Sequence, residues 1–273
     1  MSDEVVVLGC GAFVPGFDGL KGWAASAPSE EHAAPKAELV PKRQRRRASP
    51  LSKALADAFS DALETSALDP SLVASVFGSA IGEASTMVGL LDQMWSETAM
   101  LSPMRFATSV HNAASGVISI ATENRGITTA IGADFDTPAM ALMEGIGLVL
   151  ARGESVIVCC GDEAPPSDLV PDGADWGMMT AAVAIGPVDQ ASPTSPRLSE
   201  LTIAEATIEL SEREGGDAHL DLIASNPNIG LLDLVVAIHR GLDGILRLDH
   251  GAGRGYSIRL TKGELPDRPK PTR

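Results

Sequence analysis

The chain has 273 residues, of which 44% are hydrophobic and 21% charged, a composition typical of a globular protein with a substantial core. Its net charge of −15 argues against nucleic acid and anionic membranes as general partners. Three cysteines suit a reducing compartment, and neither they nor the five histidines have metal-ligand spacing. With no signal-peptide pattern and no membrane-spanning apolar run, we expect a cytoplasmic protein without a cofactor or metal.

The N-terminal run from Glu4 to Leu8 predicts a buried β-strand that ends in a turn at Gly9-Cys10-Gly11. The same segment, GCGAFVPG, partly matches the dinucleotide-binding fingerprint Gly-x-Gly-x-x-Gly. Val14 occupies the position of the third glycine, and Pro15-Gly16 prevents a helix from starting at once. A turn from strand to loop is therefore the better interpretation.

Five cations lie close together in the run PKRQRRRASP of this acidic chain: Lys42, Arg43, Arg45, Arg46 and Arg47. One interpretation is a solvated loop that forms salt bridges with the protein's own acidic face. The other is a docking patch for an acidic partner. An amphipathic helix is predicted directly afterwards, from Ser52 to Ser66.

A second buried strand is predicted from Leu72 to Ile81, and a helix from Thr86 to Ala99. Packing in the core is the default for the apolar face of this helix. The face comprises Met87, Leu90, Leu91, Met94 and Trp95.

The stretch from Phe106 to Glu163 carries most of the information about function. Its pattern indicates a crossover unit in a mostly parallel sheet. The predicted elements are a helix over 110–123, a strand over 127–131, a helix that opens at 136–138, and a strand over 155–160.

A strand, a sharp turn and a helix N-terminus form the geometry in which enzymes expose a nucleophile, because the helix end stabilises a thiolate or oxyanion. We call this turn the elbow. Its candidate residues are Asp134, Phe135, Asp136 and Thr137. None of them is an activated nucleophile without a base beside it.

This stretch resembles the N-terminal half of a β-ketoacyl synthase of the thiolase-like superfamily. The matching motifs are Asn112 with Gly116 four residues on, Arg125-Gly126 before the strand, and the strand Val156 to Glu163 that ends in Gly-x-Glu. On this register the family's active-site cysteine corresponds to Phe135, whose ring we expect to be buried. Chain-length factors, the silent partners of ketosynthases in type II polyketide and aryl-polyene assembly, also lack that cysteine, and the sequence is most similar to their short variants.

The resemblance implies an α/β, thiolase-like layered fold with a mostly parallel sheet and an abbreviated C-terminal half. On this basis residues 1–187 form a domain like the N-terminal half of a ketosynthase. Residues 197–262 are the remnant of the C-terminal half, and residues 263–273 are a tail.

The two catalytic histidines of the family come from its C-terminal half, and neither has a counterpart here. The expected His-Gly-Thr loop is missing, and the second position falls in Ser225-Asn226-Pro227-Asn228-Ile229-Gly230. The segment HGAGRG resembles the family's closing glycine loop in outline only. His111 and the pair Asp162-Glu163 match positions that are structural in the family.

The resemblance also implies where the chain meets its partners. Residues expected at the acyl tunnel and interface are Thr86, Met87, Leu90, Met94 and Phe135. The strand expected at the dimer edge comprises Ile127, Thr128, Thr129, Ala130 and Ile131. The implied partner is an active ketosynthase in a heterodimer. An acidic acyl carrier protein is expected as an indirect partner, and the five cations from Lys42 to Arg47 are the candidate patch for it.

We therefore expect a catalytically silent subunit that helps to shape an acyl tunnel. The alternative from another class is a stand-alone α/β acyl-thioester hydrolase or transferase with an unassigned nucleophile. A homodimeric scaffold without an acyl chain is a third option.

Overall fold

The chain builds one mixed sheet of eight strands, in a computed structural model that describes residues 3–96, 100–167, 169, 175–208, 210 and 218–263. The strands are β1 (Val5–Phe13), β2 (Ala74–Gly78), β3 (Thr128–Ile131), β4 (Val156–Asp162), β5 (Met179–Gly186), β6 (Arg197–Ile203), β7 (Gly244–Arg247) and β8 (Tyr256–Thr261). Their order across the sheet is β3-β2-β4-β5-β1-β6-β8-β7. This one sheet joins strands from both of the segments that the sequence suggested as domains.

The helices lie on both faces of the sheet and at its ends. They are α1 (Gly19–Ala24), α2 (Lys42–Arg45), α3 (Pro50–Ser66), α4 (Ala84–Trp95), α5 (Pro103–Ala107), α6 (Ala113–Ala121), α7 (Thr137–Arg152), α8 (Ala218–Ala224) and α9 (Ile229–His239). Short 3₁₀ turns occur at Glu30–His32, Asp134–Asp136 and Val188–Gln190. The tail from 264 onwards and the last three residues of the helix predicted over 86–99 lie outside the described residues.

The prediction of a mostly parallel sheet is wrong. Only the pairings of β2 with β3 and with β4 are parallel, and the other five pairings are antiparallel. The central strands β4 and β5 are buried along their whole length, so both read as continuous apolar runs. Such a run shows that a strand is covered on both faces, but it does not reveal the strand's direction.

Two apolar layers enclose the sheet, because alternate residues of a strand point to opposite faces. Along β4, Val156 and Val158 face the layer that α7 and α9 cover, whereas Ile157 faces the layer of α3 and α6. On the α3 side the rings of Phe59 and Phe77 stack with centroids 5.7 Å apart. Covering both faces leaves the sheet edges and the strand ends as the places where function can lie.

The turn predicted at Gly9-Cys10-Gly11 is instead the middle of β1, which continues to Phe13. These glycines allow α3 to lie directly on the strand. A Cβ at Gly11 would stand 2.2 Å from the carbonyl oxygen of Ala58, and one at Gly9 would stand 2.6 Å from the amide nitrogen of Ser66. The dinucleotide motif is thus a packing site between strand and helix.

The apolar face of α4 does not lie in the core, contrary to the default expectation. Leu90 is buried, but Met94 is 57% exposed and Trp95 is 78% exposed. The reason is that α4 packs beside α5 instead of lying on the sheet. The amphipathic spacing of α4 predicted a buried face, but it did not specify which element of the fold would cover that face.

The close approach of α3 to β1 leads to a first prediction. Gly11→Ala should lower the free energy of unfolding by about 1–3 kcal/mol, because the added methyl group meets backbone atoms that cannot move aside. The measurement is chemical denaturation monitored by circular dichroism.

The matched control is Gly147→Ala, in the exposed face of α7, where a Cβ would meet nothing within 4 Å. That variant should gain about 0.5–1 kcal/mol, since alanine favours the helix. Equal stability of the two variants would contradict the packing role of Gly11.

Candidate functional site

The elbow predicted between β3 and α7 is present. Asp134 adopts a left-handed backbone conformation, with φ of +52°, that residues other than glycine rarely take. The hydroxyl of Thr137 holds this turn, because its Oγ1 donates to the carbonyl of Asp134 at 2.7 Å and accepts from the amide of Ala133 at 3.0 Å. Strain of this kind is typical of the residue that a nucleophile elbow exposes.

Phe135 follows the strained residue, and its ring is only half-buried, so the expectation of a buried ring is wrong. The ring forms part of the wall of a hollow of about 620 Å³. We call this space the elbow hollow; it is lined by Ala133, Asp134, Phe135, Asp136, Met140, Ala252, Gly253 and Arg254. Among the described residues, this lining has two carboxylates and no thiol, hydroxyl or imidazole group.

The opposite wall of the elbow hollow comes from the loop between β7 and β8, which contains the segment HGAGRG. Asp136 accepts a hydrogen bond from the amide of Arg254 at 2.9 Å, and the Nε of Arg254 lies 3.5 Å from its other oxygen. Gly253 is needed at this contact, because a Cβ there would stand 2.3 Å from Asp136 Oδ1. The loop is thus bound to the elbow by an ion pair.

Two further ion pairs hold this loop in place. The buried carboxylate of Asp249 accepts from the amide of Gly255 at 2.6 Å and from Arg247 Nε at 2.5 Å. Burial opposes the ionisation of Asp249, but Arg247 and the loop amides outweigh it and lower the pKa of Asp249. His250 pairs with Asp233 of α9, which raises the pKa of His250.

A buried polar centre lies where β2 and β4 end, at the predicted pair Asp162-Glu163. Asp162 is fully buried and accepts from Ser79 Oγ at 2.5 Å, from the amide of Ala80 at 2.7 Å and from Asn228 Nδ2 at 2.5 Å. Despite these donors, burial raises the pKa of Asp162 to about 6. The carboxylate joins three distant parts of the chain.

Two more buried carboxylates surround this centre. Glu83 accepts from Ser49 Oγ at 2.7 Å and from Ser52 Oγ at 2.6 Å, and burial raises its pKa. Glu163 accepts from the amide of Ser85 at 3.1 Å. The chain's own donors bind at least one oxygen of each carboxylate, although the buried Oε2 of Glu83 has no partner among the described residues. This arrangement fits a structural role better than acid–base catalysis.

No histidine is placed to act as a base at the elbow. All five lie in the described part of the chain, and none lines the elbow hollow. The Nε2 of His111 is 2.8 Å from the carbonyl oxygen of Ser79, and a Cβ at Gly132 would stand 3.0 Å from that nitrogen. His111 therefore supports the strand end and the start of the elbow.

The residues expected at the acyl tunnel do not all come together. Met87, Leu90 and Met94 line a cleft of about 490 Å³ between α4 and α5, with Leu91, Leu101, Ser102, Pro103, Phe106 and Ser109. Thr86 is half-buried outside this lining, and Phe135 lies at the elbow hollow instead. The structure thus separates an apolar cleft from the elbow.

The predicted dimer-edge strand corresponds to β3, which occupies one edge of the sheet beside β2. Four of the five predicted patch cations, Lys42, Arg43, Arg46 and Arg47, surround a surface hollow. Within the described residues, no cluster of His, Cys, Asp and Glu is arranged for a metal. In the same part of the chain, every helix is too short or too polar to cross a bilayer.

Reasoning from sequence missed two contacts of this region. One is the pair Asp136 and Arg254, which are 118 positions apart. The other is the pair Asn228 and Asp162, supported by Asn226, whose Oδ1 accepts from the amide of Asn228 at 2.9 Å. The available signals were two asparagines around Pro227 at a helix start, and a charged residue within a glycine-rich loop.

Comparisons with known proteins identify a family for this chain and solved structures with a similar fold. The family model described as "Beta-ketoacyl synthase, N-terminal domain" matches residues 21–216. No curated protein matches the chain by sequence. One similar solved structure is the ketosynthase ApeO in complex with its chain length factor ApeC from Xenorhabdus doucetiae. Its TM-score is 0.66 at 18% identity, over 96% of this chain and 100% of that chain.

Two further structures share the fold over a smaller part. The ishigamide ketosynthase/chain length factor has a TM-score of 0.55 at 17% identity, over 69% of this chain and 63% of that chain. A β-ketoacyl synthase from Burkholderia phymatum STM815 has a TM-score of 0.54 at 13% identity, over 70% of this chain and 60% of that chain. The chain thus spans less than two thirds of these two proteins, and identities this low establish a common fold alone.

The raised pKa of Asp162 leads to a prediction about pH. The folded state holds its proton up to about pH 6, against an ordinary value of 3.8, so folding is favoured at low pH and loses this contribution as pH rises through 6. This titration should lower the free energy of unfolding by about 3 kcal/mol. The measurement is the free energy of unfolding from pH 4 to pH 7.5 for the wild type and for Asp162→Asn.

The amide group introduced by Asp162→Asn would not titrate, so the free energy of unfolding of the wild type should fall by about that amount relative to that of the variant as pH rises across this range. The control is Asp189→Asn at an exposed position, whose profile should run parallel to that of the wild type. A parallel profile for Asp162→Asn as well would show that Asp162 does not titrate in this range.

Proposed function

Because the chain belongs to the β-ketoacyl synthase N-terminal domain family, we propose that it is a catalytically silent subunit, a chain-length factor that pairs with an active ketosynthase. The observation that carries the proposal is an elbow with the backbone of a catalytic turn but without a nucleophile or a base. The proposed setting is type II polyketide or aryl-polyene synthesis.

The charged residues at the elbow support the proposed lack of catalytic activity more strongly than the missing cysteine does alone. Condensation by decarboxylation requires a thiolate and two groups that stabilise oxygen anions. Here Asp134 occupies the strained position, and Asp136 is already paired with Arg254. A carboxylate at that position would repel a developing enolate instead of stabilising it.

The apolar surface supports pairing with another subunit. Large side chains are exposed along and beside α4 and α5: Met87, Leu91, Met94, Trp95, Met100, Leu101, Met104 and Phe106. Several large apolar side chains exposed in one region are typical of an interaction site. The edge strand β3 adds unpaired backbone groups that a partner strand could cover.

A role in tunnel length rests on the cleft between α4 and α5. Leu90 is its buried residue, with Met87 and Met94 beside it. An apolar cleft that opens towards a partner is suited to hold part of an acyl chain. Under this proposal, the carrier protein delivers that chain to the partner's thiolate.

The proposed lack of catalytic activity leads to a prediction for Phe135. Phe135→Cys should show no condensing activity, alone or with a carrier-bound acyl thioester, because both oxygen-stabilising histidines are missing and such groups act as a unit. The measurement is product formation followed by mass spectrometry.

The unmodified chain should likewise leave acyl thioesters intact, which separates this proposal from a stand-alone hydrolase or transferase. An active ketosynthase assayed in parallel controls for substrate quality. Turnover above background by either form of the isolated chain would refute the proposal of silence.

The apolar cleft allows partnership and tunnel length to be tested separately. Met94→Glu combined with Trp95→Glu should abolish co-purification with a co-expressed ketosynthase, because charges cannot be buried unpaired in an apolar interface. Leu90→Phe should keep the pair intact and shorten its product, because the ring narrows the cleft. The measurements are size-exclusion chromatography and mass spectrometry of products.

The control for the charge variant is Leu150→Glu with Ile203→Glu, two exposed apolar residues outside the cleft. This control should still co-purify. If Leu90→Phe only lowers stability by about 1–3 kcal/mol and product length stays the same, the cleft is not part of the tunnel.

A further inference from the structure

A separate hollow lies along α9 in the C-terminal part of the chain. Its volume of about 490 Å³ falls within the range of about 300–1,000 Å³ that small-molecule sites occupy. One face of α9 forms a wall, because the lining residues Ile229, Asp233, Val236 and Arg240 follow one another at intervals of three or four positions. Residues of α1, α8 and β7 line the remaining sides. We call this space the α9 hollow.

The α9 hollow has an apolar floor and a charged rim. The floor consists of buried apolar side chains: Trp23, Ile229, Val236 and Leu246. The rim consists of exposed charged side chains: Asp221, Arg240, Arg247 and His250. An apolar surface beneath a few polar groups is the arrangement of a site for an amphipathic small molecule.

Contacts within the protein neutralise two of the cations at the rim. His250 pairs with Asp233 of α9, and Arg247 pairs with the buried Asp249. The contact with Asp233 raises the pKa of His250, which favours the charged form of the imidazole. Each pair is therefore neutral, and an anionic ligand would meet no net repulsion from them, although the chain as a whole carries a charge of −15.

Arg240 is the cation at the rim that lacks such a partner. Its Nη2 donates to the carbonyl of Ala24 at 3.0 Å, which uses one of the five N–H donors of a guanidinium. In the part of the chain that the structure describes, no carboxylate lies within 4.0 Å of this group, and no cation lies within that distance of the exposed Asp221. Because the contact with Ala24 holds the guanidinium in place, Arg240 is the better organised of the two charges to bind a ligand.

We infer that the α9 hollow binds a small amphipathic carboxylate, whose apolar body lies on the floor and whose carboxylate pairs with Arg240. Removal of the apolar body from water supplies affinity, and a guanidinium binds a carboxylate through two parallel hydrogen bonds, which fix its orientation. This inference goes beyond the proposed function and does not depend on it. The α9 hollow shares no residue with the elbow hollow or with the cleft between α4 and α5.

The probe for the test is decanoate, titrated into the isolated chain by isothermal titration calorimetry. Binding should be saturable, and tryptophan emission should change with it, because Trp23 lies on the floor. Decyltrimethylammonium, which has the same tail and the opposite charge, should bind at least about tenfold more weakly. Arg240→Glu should weaken decanoate binding by about tenfold or more, because the change replaces a donor with a repelling charge. Ala224→Trp, at an exposed position of the lining, should prevent binding because the ring fills the hollow.

The matched controls are Arg43→Glu and Ala151→Trp, which make the same changes at exposed positions outside the α9 hollow. These two variants, and Leu90→Phe in the cleft between α4 and α5, should leave affinity within about twofold of the wild type. Absence of decanoate binding, equal binding of the two probes, or equal effects of the α9-hollow variants and the controls would overturn the inference. So would loss of binding in Leu90→Phe, which would assign decanoate to the cleft. Absence of decanoate binding would leave the proposed partnership standing, because co-purification tests that proposal.

Discussion

The buried carboxylate of Asp162 is the contact on which the arrangement of the site depends. It joins the end of β4 to Ser79 after β2 and to Asn228 at the start of α9. Ser79 in turn contacts His111, which lies against the first residue of the elbow, Gly132. A buried carboxylate needs hydrogen-bond donors in place of water. The contacts of Asp162 therefore fix the positions of the strand ends relative to the elbow.

Beside this centre, the elbow combines a strained backbone with charged side chains. Asp134 has the strained conformation, and the ion pair between Asp136 and Arg254 binds the closing loop against the turn. The elbow therefore serves as a junction between β3, α7 and the C-terminal loop.

The surface divides into regions with different physical character. An apolar region around α4 and α5 suits burial against another subunit, and a basic patch at α2 suits a salt-sensitive contact. The remaining surface is strongly acidic, which disfavours other polyanions.

Local pattern was sufficient for several helices and strands, among them α3, α6 and β4, and for the elbow between Ile131 and Thr137. These features depend on residues close together in the chain, where spacing and turn chemistry are decisive. The tertiary structure decided the remaining features, which are the strand directions, the exposure of α4, the half-buried ring of Phe135, and the contacts of Asp162 and Asp136. Residues more than sixty positions apart meet there, and an apolar run or a lone charge does not specify which distant group will cover or neutralise it.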